Sequence, residues 1–242
     1  PTMYGDPRGY KYNGKPEWYR YTPEMHYDRL MEIYLWSMDP KDKARVPVAK
    51  AFDQAGRRGG GGGYGGPDRT STWLGYLEGV LPEFPEQALR DDLAGVRRRM
   101  QMMREDETTA DTRLADYLLD FNPAATNALV NLTLGGYFAR GRIWVLHSRF
   151  RYFDPERRRA GLPEDVGALV QKLGADSATV TLVNTNPLEA RTVVVQAGGY
   201  GEHRFEAATI GGKTTPIKDA VVTLRLEPGA GTQIQFQMAR YV

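Results

Sequence analysis

"SATVTLVNTNPLEARTVVVQAG" occupies Ser177–Gly198, and its reading decides the fold class. Two runs rich in Val and Thr flank an Asn186-Pro187 turn signal, so the stretch reads as strand, turn, strand. The pattern continues to the end of the chain through "HRFEAATI" (His203–Ile210), "AVVTLRLE" (Ala220–Glu227) and "TQIQFQMARYV" (Thr232–Val242). Gly198-Gly199, Gly211-Gly212 and Pro228-Gly229 part these runs. Several short strands at this spacing predict a small antiparallel β-sandwich over residues 175–242.

Immediately upstream, "RIWVLHSRFRYFD" (Arg142–Asp154) alternates. Trp144, Leu146, Phe150 and Tyr152 fall on one face, with Val145, His147, Arg149 and Arg151 on the other, which is a half-buried strand. "PEDVGALVQKLG" (Pro163–Gly174) reads as a short helix, so residues 142–174 form a connecting strand and helix.

The first half of the chain carries a helical period. Thr22-Pro23-Glu24 supplies an N-cap, a first-turn proline and an acid. Tyr27, Leu30, Met31, Tyr34 and Met38 then recur on one face. Asp39-Pro40 stops this helix and opens a second segment to about Phe52, which Pro47 is expected to shorten or kink. Thr70 or Ser71 caps a helix carrying Trp73, Leu74, Leu77 and Leu81, broken by Pro82 and Pro85. A longer helix over 85–104 has Leu89, Leu93, Val96, Met100 and Met103 on one stripe. "EDETTADT" is a polar break, "TRLADYLLDF" (Thr112–Phe121) a shorter helix, and Asn122-Pro123 opens a mostly buried helix, "AATNALVNLTLGGYF". The fold class is therefore α+β: an N-terminal all-α helical-hairpin lobe over residues 22–141, followed by a C-terminal antiparallel β-sandwich. Residues 1–21 show neither period. They read as an extended arm packing through Tyr4, Tyr10, Tyr12, Trp18, Tyr19 and Tyr21, either on the chain's own body or on a neighbouring subunit.

Composition bounds the function classes. The chain has 242 residues, a formal charge of +2, 41% hydrophobic and 26% charged residues, ordinary for a globular protein with a real core. A charge this near zero gives no reason to expect nucleic acid. The basic triplets Arg97–Arg99 and Arg157–Arg159 are too short for a polyanion tail and read as solvated faces. With no cysteine, disulfides, zinc–thiolate sites and thiol nucleophiles are excluded. No apolar run reaches the roughly 18 residues a membrane span needs. The chain opens at Pro1 without an initiator methionine, which reads as a processed mature chain or a piece of a longer protein.

"GRRGGGGGYGGPDR" (Gly56–Arg69) contains five consecutive glycines. A phosphate-binding loop needs Lys-Ser/Thr after the glycines and a strand before them; both are missing here. RNA-binding RGG tails repeat, whereas this run is single and lies between helices. An ordered loop remains. Ordering costs roughly 1–2 kcal/mol per residue in backbone entropy, so a close-packed partner surface or a ligand must offset it. Two readings stand: a structural or subunit contact, or a substrate-facing loop with Arg57, Arg58, Tyr64, Asp68 and Arg69 as binding residues.

"VTLVNTNPLEARTVVVQ" (Val180–Gln196) and "VVTLRLEPGAGTQIQFQMARY" (Val221–Tyr241), with Leu226, Pro228, Gly229 and Gly231 at the last turn, resemble the C-terminal β-sandwich of large bacterial carbohydrate-active proteins. The helical pairs before them resemble the last hairpins of an (α/α) toroid of polysaccharide lyases and glycoside hydrolases. The resemblance implies an incomplete toroid whose remainder lies upstream of Pro1 or on another chain. It also implies a polysaccharide bound between the lobes.

Lyase chemistry needs a base, often Tyr or His, and a cation to neutralise a uronate carboxylate. The catalytic candidates under that reading are Tyr64, Arg69, His147 and Arg149. Of the three histidines, His26 reads as packed or surface, His147 as a lobe-interface or acid–base residue, and His203 as surface. No HExxH spacing, acidic cluster or GxSxG elbow is present, so neither metal nor cofactor is expected. The Asn131-Leu132-Thr133 sequon falls in a buried helix and is discounted as a glycosylation site. Two functions follow. The first is a secreted or surface-exposed bacterial structural or interaction protein, extracellular or periplasmic, that self-associates or binds another chain through residues 1–21. The second is the C-terminal portion of a polysaccharide lyase or glycoside hydrolase-like enzyme.

Overall fold

The computed structural model describes residues 2–5, 19–22, 25, 27–56, 69–113, 122–137 and 147–241. Helices dominate the first half and two antiparallel sheets the second, as the switch in hydrophobic period requires. The chain divides into two compact units, Pro1–Thr70 and Ser71–Val242. Of the helix expected at "TRLADYLLDF", Thr112 and Arg113 lie in a turn and bend and residues 114–121 lie outside the described residues, as does His26.

In the first unit, β1 (Thr2–Gly5) pairs antiparallel with β2 (Tyr19–Thr22), from Thr2↔Thr22 to Gly5↔Tyr19. The ends of the presumed arm therefore pair with each other. α1 (Tyr27–Ser37) buries Met31, Tyr34 and Leu35, on the face its spacing predicts. It packs against α2 (Pro40–Gly56) through Val46 and Ala49. Asp39 opens α2, its carboxylate accepting the Lys41 N–H at 2.8 Å with Pro40 at the first helical position. Pro47 neither shortens nor ends α2. It sits on the exposed side, where water can meet the carbonyl its ring leaves without a donor.

In the second unit, α3 (Arg69–Leu77) buries Trp73 completely. α4 (Phe84–Glu105) buries Phe84 and Ala88. Its stripe of Leu89, Leu93, Met100 and Met103 is solvent-exposed. α5 (Asn127–Leu134) starts later than the Asn122-Pro123 signal suggests. Asn122 instead accepts the Ala124 N–H in a local turn, and Thr126 precedes the helix. Gly135 ends α5 at φ +59°, with the Gly136 N–H bonded back to Val130 O, a left-handed cap that favours glycine. A Cβ on Gly135 would press on Val170 and Leu173, so the close approach of α5 to the sheet also needs glycine there.

The four-stranded sheet has the order β10 (Val221–Leu226), β7 (Arg191–Ala197), β3 (Phe150–Asp154), β4 (Arg159–Ala160). The five-stranded sheet has the order β5 (Val166–Leu173), β6 (Ser177–Asn184), β11 (Gly231–Arg240), β8 (His203–Ile210), β9 (Lys213–Asp219). One apolar core joins both: Phe150, Tyr152, Val193 and Val195 from the first sheet meet Val180, Leu182, Phe205, Ile234 and Phe236 from the second. Phe205 and Phe236 centre it with ring centroids 4.4 Å apart. The arrangement is sandwich-like.

The helix expected at Pro163–Gly174 is a strand, β5, and the strand Phe150–Asp154 belongs to the other sheet, so the sheets begin well before residue 175. The apolar spacing of Val166, Val170 and Leu173 mimics a helix. Its origin is a β-bulge. Val170 pairs with Val180 but Lys172 with Thr179, so Gln171 is an extra residue. Ahead of it even-numbered residues face the core, and beyond it Leu173 does. A bulge thus turns a period of two into a four-plus-three spacing.

Candidate functional site

A buried polar cluster gathers where β3 begins and β8 begins. Residues 147–149 are held by backbone bonds on both sides. Tyr137 N–H donates to His147 O at 2.9 Å, Arg149 N–H to Leu134 O at 2.9 Å, and Gly198 N–H to Arg149 O at 2.8 Å. A Cβ on Gly136 would collide with the His147 carbonyl oxygen, so the Gly135-Gly136 pair is what lets this bridge form. The strand alternation read from sequence holds for Phe150 and Tyr152, which are buried, and for Arg151, which is exposed. Arg149 departs from it because β3 starts at Phe150 and Arg149 sits in the bend before the strand. Trp144, Val145 and Leu146 lie outside the described residues.

His147, Ser148, Arg149 and His203 are 4%, 2%, 3% and 4% exposed. The surface reading of His203 is therefore corrected. It opens β8 and is buried there. Arg149 Nη1 lies 3.2 Å from His203 Nε2. A guanidinium only donates, so Nε2 accepts and the ring proton sits on Nδ1, facing Glu202 Oε1 at 3.4 Å. The other Glu202 oxygen accepts the Tyr200 N–H at 2.9 Å. Burial works against the Glu202 carboxylate. The His203 ring N–H and the backbone N–H groups of Tyr200 and Glu202 outweigh it and hold the carboxyl at about 2. Burial, helped by the Arg149 charge and opposed by Glu202, pushes His147 down to about 3, so its ring is neutral at ordinary pH. Gly198 underlies the arrangement: its φ is +81°, and a Cβ would run into the Glu202 carboxylate.

A second polar cluster ties the opposite strand ends. Asn184 is fully buried, and its amide donates to Glu189 O at 2.8 Å, Glu227 O at 3.2 Å and Leu226 O at 3.3 Å. Asn186 caps the following turn by accepting from Leu188 and Glu189 N–H, while Arg191 bonds Asp165 and Glu189. These groups satisfy one another and the backbone, which is a structural role.

Of the residues singled out from sequence, the structure brings His147 and Arg149 together and adds Glu202 and His203. Arg57, Arg58, Tyr64 and Asp68 lie outside the described residues. Arg69 opens α3, and its side chain is likewise outside them. Glu202 and His203 went unrecognised because a charged pair after a Gly-rich turn reads as solvent-facing. Only the Arg149 partner, 54 residues away, turns His203 inward. Asn131 is buried, its amide donating to Gly136 O at 2.7 Å, a position unsuited to glycosylation. Among the described residues no group of three His, Cys, Asp or Glu side chains is placed to hold a metal ion, and no helix is long and apolar enough to cross a membrane.

A family model described as a domain of unknown function, DUF8034, matches residues 7–130, just over half of the chain. The chain belongs to the DUF8034 family. The match takes in α1 to α4 and stops within α5, so both sandwich-like sheets lie outside the DUF8034 segment. No curated protein matches the chain.

Proposed function

We propose that this DUF8034 protein is a non-enzymatic interaction protein whose contact surface lies on α4. One observation carries the reading. Leu89, Leu93, Met100 and Met103 are 44%, 48%, 41% and 52% exposed along one side of a 22-residue helix. Leaving a contiguous apolar stripe in water is unfavourable by roughly 25 cal/mol per Å², and such stripes mark contact sites. The buried cluster supports the same reading: His147 and Arg149, the described catalytic candidates, are almost fully buried. The contact surface assigned here is α4; of residues 1–21 only the paired strands β1 and β2 are described, and residues 6–18 lie outside the described residues.

The test is the stability of the isolated chain carrying Leu93→Asp with Met100→Asp. An unchanged urea midpoint is expected, since both side chains face solvent. A loss of about 2 kcal/mol or more, the size of a core disruption, would mean the stripe packs inside the chain and would sink the reading. Cleavage of an acidic or neutral polysaccharide, abolished by His147→Ala, would sink it from the other side.

A further inference from the structure

We infer that α4 docks an acidic amphipathic helix of another protein. The inference rests on reading the α4 stripe as a contact surface and adds the chemistry of what binds there. Leu89, Leu93, Val96, Met100 and Met103 follow one another at spacings of four, three, four and three. That is the a/d pattern of a helix–helix seam, with Leu93 and Met100 at a and Leu89, Val96 and Met103 at d. The stripe covers about 20 Å of helix at 1.5 Å per residue, enough for two heptads of a partner.

The two flanks of the seam differ. Asp92, Arg99 and Asp106 hold the g positions, and all three are engaged by the chain's own following segment. Asp92 accepts the Ala128 N–H, Arg99 donates to Ala124 O, and Asp106 binds Thr108 and Arg113. The e positions are Arg90, Arg97 and Arg104, all exposed. Arg90 pairs with Glu86 within the helix. Arg97 and Arg104, with neighbouring Arg98, make no ion pair among the described residues. The open side of the seam is thus a row of arginines.

This asymmetry selects the occupant. Two copies of α4 packed antiparallel would set e against e, arginine against arginine. Packed parallel, e would meet g, the flank each copy already uses for its own chain. A helix with apolar a/d positions and Glu or Asp facing the arginine row satisfies both the seam and the charge. A membrane surface fits less well, because the apolar face is only the narrow a/d stripe, without aromatic residues.

The experiment uses the full chain and two fluorescein-labelled 21-residue peptides, both with Leu at a and d. One has Glu at e and g, the other Lys. Binding is followed by anisotropy at 0.1 M salt. The Glu peptide is expected to bind at least about ten-fold more tightly than the Lys peptide. Arg97→Glu with Arg104→Glu should reverse the preference, and Leu93→Asp with Met100→Asp should remove binding of both at an unchanged urea midpoint. Equal affinity for the two peptides, no binding of either, binding only to anionic phosphatidylglycerol vesicles, or a dimer that the Asp pair dissolves would each overturn the inference. A urea midpoint lowered by the Asp pair would instead overturn the contact-surface reading beneath it.

Discussion

Arg149 Nη1 lies 3.2 Å from His203 Nε2, with both side chains buried and 54 residues apart in sequence. The contact joins the start of β3 in one sheet to the start of β8 in the other, and it orients His203 toward Glu202. A buried guanidinium that loses one of its acceptors retains its desolvation cost. His203→Ala should therefore destabilise the protein by about 2–3 kcal/mol, the range for a hydrogen bond to a charged group. His203→Gln, which offers an amide oxygen, should recover part of the loss. Urea denaturation of the two variants checks this; equal losses would remove the acceptor role.

Stability should fall in acid in two stages. His147 binds its proton at about 3 in the fold against 6.5 ordinarily. Between those values the unfolded chain holds more protons, so stability declines as pH drops from about 6.5 toward 3. Glu202 is depressed to about 2 from 4.5, so its contribution is present above 4.5 and is lost as pH falls from 4.5 to 2. His147→Gln should flatten the upper stage and Glu202→Gln the lower one, read from urea midpoints at half-unit pH steps. Superimposable profiles for all three proteins would contradict the assignment.

Two glycine substitutions should move stability in opposite directions. A methyl at Gly136 meets a backbone oxygen that cannot move aside without breaking the Tyr137–His147 bridge, so Gly136→Ala should cost about 2–3 kcal/mol. Gly95 lies inside α4 with nothing within 4 Å of its Cβ position. Gly95→Ala should stabilise by about 0.5–1 kcal/mol through backbone entropy alone. Thermal melts of the pair provide the test.

Asn184→Asp should be worse than Asn184→Ala. The alanine removes an amide bonded to three carbonyls, at a cost of about 1–3 kcal/mol. The aspartate sets a buried negative charge against the same carbonyl oxygens. Its folded-state pKa is raised, so part of the excess loss should return as pH is lowered from 7 to 5. An Asp variant that is no less stable than the Ala variant at pH 7 would contradict the three-carbonyl geometry.

Sequence alone determined the switch from helices to strands and most of the elements on either side of it, because period is local. The strands from Ser177 onward except β9, whose polar "KTTPIKD" shows no apolar alternation, the face of α1 and the extent of α4 follow from which residues recur at two or at three to four. The tertiary structure decided what depended on distant partners. The Gln171 bulge converts a strand's alternation into a helix-like spacing, and only pairing with β6 reveals it. His203 is buried because Arg149 reaches it across the sandwich. The same physics separates the two faces of α4. Periodicity marks the apolar stripe, but only the tertiary contacts of Asp92 with Ala128 and of Arg99 with Ala124 show which flank of that stripe the chain itself uses and which arginine side stays open.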